Sequence, residues 1–203
     1  MYGKETHCNY MDNNKLLKLF IEAGKLKRIK RTGWSMKNIP CPESVADHSF
    51  RTSFIALILG TMLELNVEKL LKMSLLHDLP EIITGDITPH CGIPVTEKYE
   101  KEKNAIKKFN DIFPDNNSSI VDLWEEYESR NSPEARLLKN IDKLEMAIQA
   151  FEYQKQYPEI DLEEFINNAK MNINDPTILS IFKALTRQIT GQRFSSPGFD
   201  YAQ

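Results

Sequence analysis

The sequence predicts an all-α protein folded as one compact helical bundle. Apolar residues recur at helical spacing in one segment after another, and no stretch sustains the alternation of a half-buried strand. Two histidines also lie inside strongly apolar helical runs, where a solvated side chain would be out of place. At 203 residues the chain suits one domain with a continuous core and is short for two. The expected domain spans 12–190, with flexible tails at 1–11 and 191–203.

The elements follow in order. Leu16, Leu17, Leu19, Phe20 and Ile21 mark a first helix that ends near Gly24. The next stretch, RTGWSMKNIPCPES, carries Gly33, Pro40 and Pro42 and is expected as a loop. Ser44 is placed to cap a helix through Val45, Phe50, Phe54, Ile55, Leu57 and Leu59, whose apolar residues cover so much of its circumference that it should be central and buried. A third helix runs from 67 to about 79, stops near Pro80, and carries His77 and Asp78 at its end. The segment DITPHCGIPVTEK, with two prolines and a glycine, reads as an ordered loop. Helical patterns resume at about 97–109, 118–129, 133–151, 162–171 and 177–190.

Composition excludes several classes. The net charge is −3 and the basic residues are interleaved with acids, so no tract fits a nucleic-acid polymer. No apolar run reaches the roughly 18–20 residues of a membrane span. The opening MYGKETHCNYMDNN has neither a hydrophobic signal core nor a basic amphipathic pattern, so the expected location is the cytoplasm, with the nucleus open. Cys8, Cys41 and Cys91 are odd in number and outside any CxxC pattern, which favours reduced thiols over a disulfide framework or a zinc knuckle.

Chemistry concentrates around the two apolar-helix histidines, His48 and His77. One such histidine is more often a satisfied core residue, but two with an adjacent aspartate point to ligand duty. Asp78, Glu81 and Asp86 bring three carboxylates to the end of an apolar helix. Burying such charge without a counter-ion is costly, and a divalent cation offsets the cost. Imidazole with carboxylate suits Mn²⁺, Fe²⁺, Co²⁺ or Zn²⁺. Asp142 is available as a further ligand, although its spacing by itself favours a partly exposed aspartate paired with Lys139 or Lys143.

The order of these motifs resembles the H…HD…D signature of the HD-domain phosphohydrolases: His48 in ADHSFR, His77-Asp78 in LLHDLPEIITGD, and Asp142 in NIDKLEMAIQA. The flanks RTGW, PESVADHSFR, HDLPEIITGDITP and LWEEYESRNSPEAR are similar to those of the 5′-deoxynucleotidases of the HD-domain-containing-protein-2 and YfbR-like type. The resemblance implies an HD-domain bundle in which His48, His77, Asp78 and Asp142 hold one divalent transition metal. Mn²⁺ or Co²⁺ is expected, with Zn²⁺, Fe²⁺ or Mg²⁺ as alternatives. It implies hydrolysis of deoxyribonucleoside 5′-monophosphates by a symmetric homodimer. It also implies a catalytic role for Glu81 on water or the leaving oxygen, and Asp86 at the sugar and phosphate end.

Two alternatives for that pair stay open: both merely cap or solvate their loop, or together they bind a second, weaker cation such as Mg²⁺. Arg31 is implied to steer phosphate and Trp34 to pack against the sugar. The two are separated here by Thr32 and Gly33, so Lys30 or Lys37 competes with Arg31, and Trp34 equally fits a simple loop anchor. Arg51 is expected to be structural or to support the ligands. Competing functions are an HD phosphohydrolase acting on another nucleotide (phosphodiesterase, triphosphohydrolase or guanosine-tetraphosphate hydrolase) and a non-catalytic nucleotide-binding module. The first group usually brings longer chains or more histidines, and the second is disfavoured by the presence of Glu81 and Asp86.

Overall fold

Capping residues and prolines set most helix boundaries, and contacts from distant segments set the rest. The computed structural model describes residues 13–110 and 119–189. The expected tails, with His7 and Cys8, lie outside the described residues.

The first helix, α1 (Asn13–Ala23), ends at Gly24 as expected and passes into a 3₁₀ turn. The stretch expected as a loop contains a short helix, α2 (Thr32–Met36). Its stabilisation is tertiary: the Asp86 carboxylate accepts the Thr32 N–H at 2.6 Å, capping the helix from a distant loop. Pro40 and Pro42 fall beyond it. Ser44 begins α3 (Val45–Met62) as expected. Its hydroxyl accepts the Asp47 N–H while the Asp47 carboxylate accepts the Ser44 N–H at 2.8 Å, a reciprocal capping box.

Asn66 caps α4 (Val67–Leu76), which stops short of the expected end so that His77 is its C-cap. A single turn, α5 (Glu81–Thr84), follows Pro80 and closes at Gly85, whose φ of 72° favours glycine. The segment after Asp86 is irregular apart from a 3₁₀ turn at Pro89–Cys91. Then come α6 (Val95–Asn110), α7 (Ile120–Ser129), α8 (Pro133–Gln156), α9 (Glu163–Asn172) and α10 (Pro176–Ile189). Helix α8 outruns its expected end at 151 because Tyr153 is buried and its hydroxyl oxygen accepts the Glu43 N–H at 2.7 Å. Among the described residues there is no strand, only one antiparallel bridge between Lys30 and Ser44. None of their helices is long and apolar enough to cross a membrane. Cys41 and Cys91 are exposed free thiols.

The central helix is α8. Ala135, Leu138, Ile141, Leu144 and Ala147 are essentially inaccessible, and α3, α4, α7, α9 and α10 pack around them. Helix α3 was expected to be buried all round, and this is corrected. Its Val45, Ala56 and Leu59 face the core, and Gly60 lets α4 approach so closely that an added Cβ would come 2.7 Å from Leu70 Cδ2. Its opposite face leaves Phe50, Phe54, Ile58 and Met62 between 44 % and 74 % exposed. An apolar circumference is thus not itself a sign of burial, because a helix at the margin of a bundle has neighbours on one side only.

The capping box makes a measurable claim. Ser44→Ala should lower the free energy of unfolding by about 1 kcal/mol, the usual cost of losing such a cap. Urea denaturation should show it as a lower midpoint at unchanged slope, and an unchanged midpoint would mean the box contributes nothing.

Candidate metal centre

Two helices and the terminus of a third deliver the cluster. His48 stands one turn into α3, its position set by the Ser44–Asp47 box. His77 closes α4, where Pro80 cannot continue the hydrogen-bond ladder, and Asp78 follows it. Asp142 projects from the middle of α8. The Nε2 atoms of His48 and His77 are 3.4 Å apart. Asp78 Oδ2 lies 3.2 Å from His77 Nε2 and 3.6 Å from His48 Nε2, and Asp142 Oδ1 lies 3.3 Å from His48 Nε2. Both imidazoles are buried and both aspartates largely so.

Hydrogen bonds at the far side of each ring decide what the Nε2 atoms can do. His77 Nδ1 is 2.7 Å from the Ser74 carbonyl, an acceptor, so Nδ1 carries the proton and Nε2 presents a lone pair inward. His48 Nδ1 is in direct hydrogen-bond contact with the Glu145 carboxylate. Arg51 holds that carboxylate in turn, its Nε donating to Glu145 Oε1 at 2.8 Å. His48, His77 and Asp78 offer ligand atoms all within 4.8 Å of one another, with Asp142 Oδ1 beside His48, and such a mix of imidazole and carboxylate suits a divalent cation. Burial and Arg31 both disfavour a charged His48, but Glu145 and Asp142 outweigh them and raise its pKa to about 10. A divalent cation held by these residues would take the place of that proton.

Asp142 pairs with Lys143, as one of its two sequence readings expects, and also turns to the histidines. Its Oδ2 accepts from Lys143 Nζ at 2.9 Å while Oδ1 faces His48. Glu145 was missed in the sequence. Its signal was present, since it lies one turn after Asp142 and so shares that side of α8.

Around this core, the structure brings Arg31 to the edge of the cluster, with Nη1 3.5 Å from Asp78 Oδ2 and 3.9 Å from Asp86 Oδ1. Burial opposes its charge, but Asp78, Asp86 and Glu81 keep the guanidinium firmly protonated. Glu81 is 3 % exposed and its Oε2 has no hydrogen-bond partner. Burial, then the charges of Asp78 and Asp86, push its pKa well above the usual carboxylate range. Asp86 is tied down by Thr32, whose N–H donates to its Oδ2 and whose hydroxyl donates to its carbonyl at 2.7 Å.

Trp34 sits apart from the expectation of a sugar contact. It is 2 % exposed, packed between Tyr153 and Phe165, and its indole N–H donates to Glu43 at 2.8 Å. The reason is the apolar cluster it forms with Ile39, Ala150 and Leu162, which anchors α2 onto α8 and α9.

A family model described as HD domain matches residues 23–178. A Danio rerio protein named 5'-deoxynucleotidase HDDC2 is 40% identical over 180 residues, covering 88% of this chain and 88% of the relative. Its Homo sapiens counterpart of the same name is 36% identical over 172 residues, 84% of each chain. A conserved hypothetical protein of Pyrococcus furiosus has a similar solved structure, with TM-score 0.70 and 37% identity over 84% of this chain and 99% of its own. A Magnetospirillum magnetotacticum structure titled a predicted metal-dependent phosphohydrolase shares the fold at TM-score 0.66 and 20% identity, over 91% of this chain and 96% of its own.

Glu145 should matter to the metal without touching it. Glu145→Gln, which keeps the shape and removes the charge behind His48, should weaken divalent-metal affinity by about 10–100-fold, the usual cost of losing such a supporting carboxylate. Metal titration followed beside circular dichroism checks it. Unchanged affinity would mean that His48 is held by packing alone.

Proposed function

Because the chain belongs to the HD-domain family, we propose that it is a metal-dependent 5′-deoxynucleotidase, converting deoxyribonucleoside 5′-monophosphates to deoxyribonucleosides and phosphate. The observation that carries this reading is the His48, His77, Asp78 and Asp142 donor set with the Arg31 guanidinium beside it. Relatives named for that activity match most of the chain and support it.

Those four residues would hold one divalent cation, Mn²⁺ or Co²⁺ in preference to Zn²⁺, Fe²⁺ or Mg²⁺. Such a cation, when bound, lowers the pKa of a water molecule and neutralises charge on the phosphate oxygens. Arg31 takes the phosphate, exchanging its long contact with Asp78 for a forked pair of hydrogen bonds to two phosphate oxygens. Glu81, held protonated by its surroundings, gives its proton to the sugar O5′ as the P–O5′ bond breaks. The attacking water forms the new P–O bond, and the proton it releases restores Glu81. Asp86 orients Arg31 from the sugar side. A second cation shared by Glu81 and Asp86 is less well supported, because Asp86 Oδ2 is committed to the Thr32 N–H.

The same reading gives a symmetric homodimer working in the cytoplasm, with the nucleus left open. What supports the dimer is the exposed stripe Phe50, Phe54, Ile58 and Met62 on α3, rather than the later helices.

Phosphate release from ribo- and deoxyribonucleoside monophosphates, by EDTA-stripped protein reloaded with single metals, tests the activity. Turnover should return with Mn²⁺ or Co²⁺ and favour deoxyribose; no release from any monophosphate would reject the reading. Glu81→Ala should keep the metal yet lose about 10²–10⁴-fold in turnover, the usual contribution of a positioned acid. Asp78→Ala should lose metal and turnover together. Sedimentation of Ile58→Asp should give a 23.5 kDa monomer where the parent chain is twice that mass; a parent chain that is already monomeric sinks the dimer.

A further inference from the structure

Opposite Glu145 on α8, Arg136, Lys139, Asn140 and Lys143 recur at helical spacing and share a face. They line a recess of about 80 Å³, closed by Arg130 at the turn between α7 and α8 and by Asn174 between α9 and α10. That is room for a few water molecules or one tetrahedral oxyanion.

The charge in the recess is unbalanced. Lys139 is paired with Glu128 at 2.8 Å and lies 3.6 Å over the Tyr127 ring, and Lys143 is paired with Asp142 at 2.9 Å. Among the described residues neither arginine has a carboxylate partner, and Arg136 Nη1 donates only to the Arg130 carbonyl, at 3.3 Å. Two guanidinium groups thus face one small recess in a chain whose net charge is −3.

The walls are fixed independently of any occupant. Asn140, 5 % exposed, donates to the Arg136 carbonyl at 2.8 Å and to Asn174 Oδ1 at 3.1 Å. Its oxygen accepts the Asn174 and Asp175 N–H groups at 2.7 and 3.0 Å, so every hydrogen-bonding site of the amide is used to clamp the α9–α10 turn against α8. Arg130 has a left-handed backbone, φ 56°, where glycine would serve the turn with less strain. What arginine adds at that position is its side chain.

We propose that this recess is a second anion site, one that takes a phosphate group separately from Arg31, either as free phosphate or as part of a nucleotide. Paired guanidinium forks suit phosphate oxygens better than point charges do. Lys143 is shared between the recess and the metal centre. An anion in the recess draws its ammonium away from Asp142, so occupancy is felt at the ligand set.

Calorimetric titration of the metal-loaded full chain with inorganic phosphate, and of its metal-loaded Glu81→Ala variant, which turns substrate over too slowly to interfere, with a deoxynucleoside monophosphate, tests the site. The parent protein should show two phosphate-binding events. Arg130→Gly/Arg136→Gln should weaken one of them by about tenfold or more, whereas Arg31→Ala should weaken the other. Loss of a second event for the monophosphate as well identifies the nucleotide as a ligand of the recess; loss for inorganic phosphate alone identifies the free anion. A single event that the double variant leaves within twofold of the parent overturns the proposal. Arg130→Gly removes backbone strain, so the variant should fold, and circular dichroism checks it. The readout is binding, so a chain that hydrolysed no monophosphate would still give an answer.

Discussion

Everything else in the molecule depends on two imidazole nitrogens held 3.4 Å apart, lone pairs inward, beside the carboxylates of Asp78 and Asp142 in a low-dielectric interior. No single helix makes that arrangement. His48 comes from the start of α3, His77 and Asp78 from the end of α4, and Asp142 from the centre of α8, so the site exists only if three helices pack in one register. The carbonyl of Ser74 and the carboxylate of Glu145 then set the direction of each ring. Gly60 lets α3 approach α4 closely, where an added Cβ would meet Leu70.

Charge is balanced outward from that core in layers. Behind His48, Glu145 is met by Arg51, which also reaches Gln149 and Glu152. Glu43 stands beside this chain; burial and the nearby Glu145 push its carboxyl up to about 7, and the Trp34 indole N–H donates to it. Trp34 therefore bears on the site through its scaffold. In front of the histidines the balance is different. Arg31 stands 3.5 Å from Asp78 and 3.9 Å from Asp86, and Glu81 remains a buried carboxyl with an unpartnered oxygen. A proton-carrying acid beside a fixed guanidinium is the pairing that phosphate ester cleavage needs: one group holds the anion and the other supplies the leaving oxygen with its proton.

The basic recess meets this system through Lys143, which pairs with Asp142, and through Lys139, which lies over the Tyr127 ring that packs against His77. Arg136 is on the opposite side of α8 from Glu145 and Arg130 stands at the turn before that helix, so α8 lies between the metal centre and the recess.

The sequence by itself determined the helical class and the Ser44 cap, because helical periodicity and capping chemistry are local signals with a physical cost attached; it singled out His48, His77 and Asp78 from their apolar surroundings, and Asp142 only through the resemblance. It also held Glu145 in plain view one turn from Asp142, though nothing local says that a second carboxylate on that face turns to a histidine 97 residues away. Tertiary structure alone decided the rest. Helix α2 forms because Asp86 caps it from across the fold, α8 extends because Tyr153 is buried, and Trp34 turns inward because Tyr153 and Phe165 close over its ring. The apolar circumference of α3 was read as burial, but only the packing of its neighbours settles which side of a helix meets water. These outcomes turn on long-range contacts between residues whose spacing along the chain carries no period, and such contacts become definite only when the helices are assembled.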